Sequence, residues 1–236
     1  SGKEFVDGTR CPICFSLPRH RLMIHLLKET DCNEKKVLII GPDMPELLIM
    51  KKLKFDSITN LNMENSIFTD VVADITKYSL DKKSFDMVIM WHVLEHIKED
   101  KKAFSELSRV LRKNGTLIIT TPNIGFIFNR IQLLFGFFNY GRRGILHPSH
   151  TRLFTFKSLR NILTESGYEI IEEKTVSAPF ELAFGKNFFS SFLNFLNKFL
   201  IFFSKKLFGY SILIKAKPTA NLNTLLNFAH KESKKK

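Results

Sequence analysis

The chain is punctuated by short runs of apolar residues with helical stretches between them. Val37–Ile40 stops at Gly41; Ser57–Leu61 and Val71–Ala73 follow, then Met87–Met90 and Leu117–Thr120. Leu47–Leu53 reads as a helix, and so do residues 98–113, with Ala103, Leu107, Val110 and Leu111 on one face and Asn114-Gly115 as the stop. Residues 20–30 show the same period through Leu22, Ile24, Leu26 and Leu27. Strands that are apolar throughout are covered on both faces, which predicts a parallel sheet. Their alternation with helices predicts an α/β, doubly wound architecture. Such sheets bind ligands beyond the carboxyl ends of their strands, so chemistry is expected just after residues 40, 61, 73, 91 and 121.

Past residue 121 the pattern loosens. It predicts helices over 124–138, 156–166 (ending at Gly167) and 187–209, strands at Tyr168–Ile171 and Tyr210–Ile214, and a loop over 139–155. The expected organisation is an N-terminal segment (1–35), a nucleotide-binding domain (36–178) and an appended segment (179–236).

Charge sharpens the contrast between the halves. Residues 1–120 hold 19 Lys and Arg against 17 Asp and Glu, whereas 121–236 hold 17 against 6 and 18 of the 24 phenylalanines. Between Phe188 and Phe208 the polar positions near 190, 194, 197–198 and 205 recur at helical spacing and leave a wide apolar face. Two asparagines and three lysines argue against a spanning helix. Peripheral contact of 187–209 with an anionic membrane surface is the sharper expectation, and packing on the sheet or on a second subunit is the plainer one. The basic residues are not grouped around stacking aromatics, so nucleic acid is not an expected partner. Three cysteines cannot form a disulfide framework, which makes a reducing cytoplasm the default expectation. Cys11-Pro-Ile-Cys14 is half of a zinc site that His20, His25 or Cys32 do not complete at convincing spacing. The opening Ser1-Gly2-Lys3, without an initiator Met, raises the expectation of a processed or truncated product, and no metal is expected.

The loop Gly41-Pro-Asp-Met-Pro-Glu46 stands where this architecture uses bare backbone to meet a ligand. Its single glycine fails the GxGxxG pattern that a pyrophosphate requires, which argues against NAD and leaves a phosphate-free nucleoside open. An ordinary strand-to-helix turn would look much the same. Asp74 could accept from an adenine amine, and Asn60 from ribose hydroxyls, although both residue types are common in turns.

The longest signal runs through Asp74-Ile75, Ser84-Phe85-Asp86, His92-Val-Leu-Glu-His96, Glu106–Leu111, Asn114-Gly115 and Thr121-Pro122-Asn123. This block resembles the methyltransferase type 11 and type 23 families over roughly residues 36–175. Cys11–Cys14 with Ser16-Leu-Pro-Arg-His-Arg-Leu22 resembles a bacterial subgroup of them, which shares the Pro42-Asp43 pair. The resemblance implies a class I, Rossmann-like fold, with a mostly parallel seven-stranded sheet and helices on both faces. It also implies S-adenosyl-L-methionine as methyl donor, with Gly41, Pro42, Asp43, Asn60, Asp74, Ile75, Trp91 and His92 around it. Asn60 stands where these families carry an acid, and the glycine loop is reduced.

Methyl transfer to a hydroxyl needs positioning and a base, and His92, His96 and His150 are the candidates. For His96, a role in capping or packing the following helix is the plainer reading. Tyr140, His150 and Arg152 are the expected substrate contacts, Arg152 for an anionic group; the alternative is that His150 and Arg152 tie loop to sheet. His92-x-x-Glu95-His96 also matches the inverted zinc-peptidase motif, but that motif needs a helix, and here it follows directly on a strand. A milder expectation is that His92, Glu95 and His96 recruit a divalent ion that orients a diol or phenol. The expected activity is methylation, preferably on oxygen, of a small or lipid-linked acceptor, and the rival is a catalytically weak, membrane-associated scaffold.

Overall fold

The computed structural model describes residues 23–24, 26–27, 29–30, 32–77, 80–141 and 144–219. Cys11, Cys14, His20 and His25 lie outside them. Seven strands form one sheet: β1 (Lys36–Ile40), β2 (Ser57–Asn62), β3 (Val71–Val72), β4 (Phe85–Trp91), β5 (Leu111–Pro122), β6 (Tyr168–Val176) and β7 (Ser211–Pro218). Their order is β3-β2-β1-β4-β5-β7-β6. The first five are parallel, and β7 runs antiparallel to both β5 and β6.

The uninterrupted apolar strands are explained by cores on both faces. In β1, Leu38 and Ile40 join Val88, Met90, Leu117 and Ile119 beneath Phe104, Leu107, Phe156 and Leu159. Val37 and Ile39 face the other way, with Met87, Ile89 and Ile118, against Met23, Leu26, Leu27 and Met50. Helices α1 (Met44–Met50), α2 (Asp100–Val110), α3 (Ile127–Leu134) and α4 (Phe156–Glu165) connect or cover the strands. After β6 come α5 (Phe180–Phe184), α6 (Phe188–Phe203) and α7 (Lys205–Phe208), and β7 then returns to the interior of the sheet.

Several boundaries moved for identifiable reasons. Helix α1 begins three residues before the expected Leu47, because Asp43 and Glu46 form a reciprocal capping box around Pro45. Asn114-Gly115 does not stop α2. The helix ends at Val110, and the pair falls in an irregularity of β5, whose partners in β4 jump from Phe85↔Leu111 to Met87↔Thr116. The expected 124–138 helix contracts to Ile127–Leu134, and the expected 187–209 helix breaks at Ser204, whose backbone is extended.

Helix α6 is inside out. Ser190 and Asn197 are buried: Asn197 Oδ1 accepts from Ala178 N at 3.2 Å, and its Nδ2 donates to Phe208 O at 3.0 Å. Phe188, Phe195 and Phe202 are 88%, 71% and 86% exposed. In α3 and the residues after it, Leu134, Phe135 and Phe137 are likewise exposed, while Asn129 is buried. The two helices share one small core, in which Phe126 and Phe180 are buried and Ile127 and Leu193 pack on them. Among the described residues, no helix is long and apolar enough to cross a membrane.

Candidate functional site

The sheet presents its expected ligand edge at the carboxyl ends of β1–β4. Gly41, next after β1, has φ +62 and donates its N–H to Leu61 O at 2.8 Å. A Cβ there would lie 2.6 Å from Val93 Cγ2, so the loop after β1 and the loop after β4 touch at this residue. Pro42 is buried. The Asp43 carboxylate accepts from Glu46 N at 3.3 Å and serves as the cap of α1.

Asn60 falls short of the edge. It pairs with Ile39 inside the ladder, and the true end of β2 is Asn62. With Ile40 opposite Leu61, the register carries Asn62 to the level of Gly41. The sequence reading ended the strand at Leu61, and the pattern Ile58-Thr-Asn-Leu-Asn62 holds no signal separating one asparagine from the other. Asn60 Oδ1 is buried without a hydrogen-bond partner among the described residues.

Asp74 follows β3 as expected. Its Oδ1 accepts from Thr76 N at 2.9 Å and from Thr76 Oγ1 at 2.7 Å, and Lys77 Nζ stands 3.8 Å from Oδ2. The Thr76 backbone and hydroxyl hydrogen bonds, with help from Lys77, hold its pKa below the usual carboxylate value. Ile75 and Trp91 belong to the cores on opposite faces of the sheet.

The densest chemistry follows β4. His92 occupies the left-handed region at φ +55, and its N–H donates to Thr120 O at 3.1 Å. Its Nδ1 lies 3.0 Å from Glu95 Oε1. Because a carboxylate only accepts, Nδ1 carries the proton, and the neutral ring offers a lone pair at Nε2. That Nε2 and Glu95 Oε2 are both buried without a hydrogen-bond partner among the described residues. Burial raises the pKa of Glu95, but the opposing contributions, led by the His92 hydrogen bond, outweigh it, so the carboxyl stays below its ordinary value.

The sequence placed Glu95 in a motif and, with His92 and His96, around a divalent ion; the structure makes it the hub and brings His150, not His92, to it and His96 as the third candidate ligand. The Glu95 backbone carbonyl accepts from Thr151 N at 2.8 Å and Arg152 N at 3.1 Å, drawing the 145–152 loop onto the end of β4. His96 does not cap α2, whose N-cap is Glu99; its Nδ1 donates to Ser149 O at 3.0 Å. His150 Nδ1 donates to Ile145 O at 2.8 Å, and the His96 and His150 rings meet edge to face at 5.0 Å. Burial is the main cause that pushes the His150 pKa down, favouring the neutral ring. Arg152 pairs with Asp100 at 2.7 Å and so ties the loop to the start of α2. Tyr140 is exposed and touches Phe138. The H-x-x-E-H pair does not share a helical face: His92 precedes the single 3-10 turn Leu94–His96 and bonds to Glu95.

Residues 41–119 match the family model of the methyltransferase domain (Methyltransf_11). The fold is that of the class I S-adenosylmethionine-dependent methyltransferases. A protein of Archaeoglobus fulgidus, a SAM-dependent methyltransferase, superposes with TM-score 0.56 at 19% identity over 84% of this chain and 94% of its own. The [4+2]-cyclase SpnF superposes with TM-score 0.55 at 16% identity over 86% and 82%. By sequence, the chain is 32% identical over 97 residues to a protein of Mycolicibacterium smegmatis named as a probable S-adenosylmethionine-dependent methyltransferase, covering 41% of this chain and 34% of that protein. The match thus spans about a third of that relative's length.

Proposed function

We propose that the chain is an S-adenosylmethionine-dependent methyltransferase acting on a hydroxyl of a small or lipid-linked acceptor. One observation carries this reading: the bare backbone of Gly41, Asn62 and the Asp74 carboxylate stand at successive strand ends, and the His92–Glu95 pair stands beside them. A nucleoside fits that edge. The Gly41 backbone would lie against it, Asn62 would offer an amide to the ribose hydroxyls, and Asp74 Oδ2 would accept from the adenine amine. When bound, S-adenosylmethionine supplies an electrophilic methyl group.

The chain's own residues do the rest. Glu95 holds the His92 ring in the tautomer with a free Nε2 lone pair, as the carboxylate of a catalytic dyad does. His92 Nε2 would accept the proton of an acceptor hydroxyl, and the ion pair with Glu95 would stabilise the imidazolium formed. The loop pinned by Thr151 and Arg152 would shield that transfer from water. The exposed phenylalanines of α3 and α6 support the lipid-linked choice, because α6 turns Ser190, Asn194 and Asn197 to the protein and presents a phenylalanine face, with Lys198 beside it, outward. The basic character of this half suits an anionic bilayer surface.

Titration calorimetry with S-adenosylmethionine, on wild type and on Asp74→Ala and Asn62→Ala, tests the cofactor site. Each substitution is expected to weaken binding at least about tenfold, or roughly 1.4 kcal/mol. His92→Ala should still bind S-adenosylmethionine but lose turnover on any acceptor found by screening. No binding to wild type would discard the enzyme in favour of the second reading, a methyltransferase-like scaffold, for which the reduced glycine loop speaks.

A further inference from the structure

We propose that Glu95, His96 and His150 form a binding site for a single divalent transition-metal ion of the zinc type, beside the His92 dyad. Ligand atoms of the three residues lie within 4.8 Å of one another. The side chains come from two segments that the sequence separates by more than fifty residues. They meet because the Thr151 and Arg152 N–H groups bond to Glu95 O.

The hydrogen bonds around the cluster decide which atoms face the ion. A carbonyl only accepts, so His96 Nδ1, at Ser149 O, and His150 Nδ1, at Ile145 O, both carry their protons. Each neutral ring is left with its lone pair on Nε2, held in orientation by a backbone acceptor, which is the outer shell that metal-ligating histidines use. Glu95 supplies the third donor. Its side chain is only 2% exposed; Oε1 is engaged by His92, while Oε2 has no hydrogen-bond partner among the described residues. A buried carboxylate oxygen left bare is costly, and a cation relieves that cost.

Two imidazoles and one carboxylate suit zinc or a neighbouring first-row ion better than magnesium, and they leave coordination positions open. Bonds of about 2.0–2.1 Å would bring tetrahedral donors to roughly 3.3 Å apart. The cluster therefore has to tighten around the ion, and His96, exposed at the end of a single turn, has the freedom to do so. The open positions would take an oxygen of the acceptor; that clause alone rests on the methyltransferase reading.

The test measures the metal directly and needs neither methyl donor nor acceptor. Protein freed of metal by chelation is titrated with ZnCl2 by calorimetry and with CoCl2 by visible absorption, in a Cys11→Ser/Cys14→Ser background that removes the thiolates as competitors. One equivalent is expected to bind, with a cobalt spectrum free of sulfur charge-transfer bands. His150→Ala and Glu95→Gln should each weaken binding at least about tenfold. His96→Ala should do the same with an unchanged thermal melt, since that side chain is exposed, and His147→Ala should change nothing. Absence of binding, or binding indifferent to His150→Ala and His96→Ala, overturns the proposal. S-adenosylmethionine affinity measured on the same samples reports separately on the cofactor site.

Discussion

Gly41 meets two separate demands. Its φ of +62 costs an L-residue roughly 1–2 kcal/mol, and a Cβ would sit 2.6 Å from Val93 Cγ2. Gly41→Ala is therefore expected to lose about 2–3 kcal/mol in chemical denaturation. Gly41→Ala/Val93→Ala removes the collision but keeps the backbone cost, so the double variant should still fall clearly short of Val93→Ala alone. The neighbouring Asp43 has a structural duty that its place in the loop after β1 did not reveal: its carboxylate accepts from Glu46 N and starts α1. Asn60 and Asn62 are both amides at one face of one strand, and two residues of register decide which reaches the edge.

Elements are joined at the far edge of the sheet by Glu173. Arg160 of α4 donates to both of its carboxylate oxygens, at 2.8 Å each from Nη2, and Lys205 of α7 approaches Oε2 at 3.2 Å. Burial raises the pKa of Glu173, but the Arg160 and Lys205 hydrogen bonds and charges outweigh it, so the folded pKa lies below the ordinary value. The stability gained is complete above the unfolded pKa of about 4.3 and is lost as pH falls through the folded value. Glu173→Gln should lower Tm by about 2–4 °C at pH 7, near 1 kcal/mol because both partners are partly exposed, and the gap should close toward pH 3. Melting curves of the two proteins across pH 3–7 check this; a constant gap would mean that shape, not charge, holds the clamp.

At the scale of the whole molecule, the exposed phenylalanines are the property most in need of an apolar neighbour. Flotation with anionic vesicles is expected to carry the protein, and added salt should weaken the association. Phe195→Ser/Phe199→Ser should reduce it with little effect on folding, since both rings are exposed. Failure to float, or a variant that floats unchanged, would end the bilayer reading and leave a second apolar surface as the alternative. The topology adds a reason for expecting the C-terminal part to be indispensable. Strand β7 sits between β5 and β6 rather than at an edge.

The sequence by itself determined the five parallel strands, the positions of most helices and the edge at which sheets of this kind bind ligands. Central strands buried on both faces, such as Val37–Ile40 and Met87–Trp91, are apolar throughout, and helices repeat at a different period, so both leave a local record. Gly41, Asp74 and the His92–His96 segment were visible because they fall directly after such strands. What only the tertiary structure decided depended on distance across the fold. The meeting of Glu95, His96 and His150 relies on two backbone hydrogen bonds from a loop whose residues have no periodicity. The inversion of α6 relies on Asn197 finding the Ala178 N–H and the Phe208 carbonyl. In the sequence its polar stripe looked like the side facing water, because spacing records which residues share a face and not what that face meets.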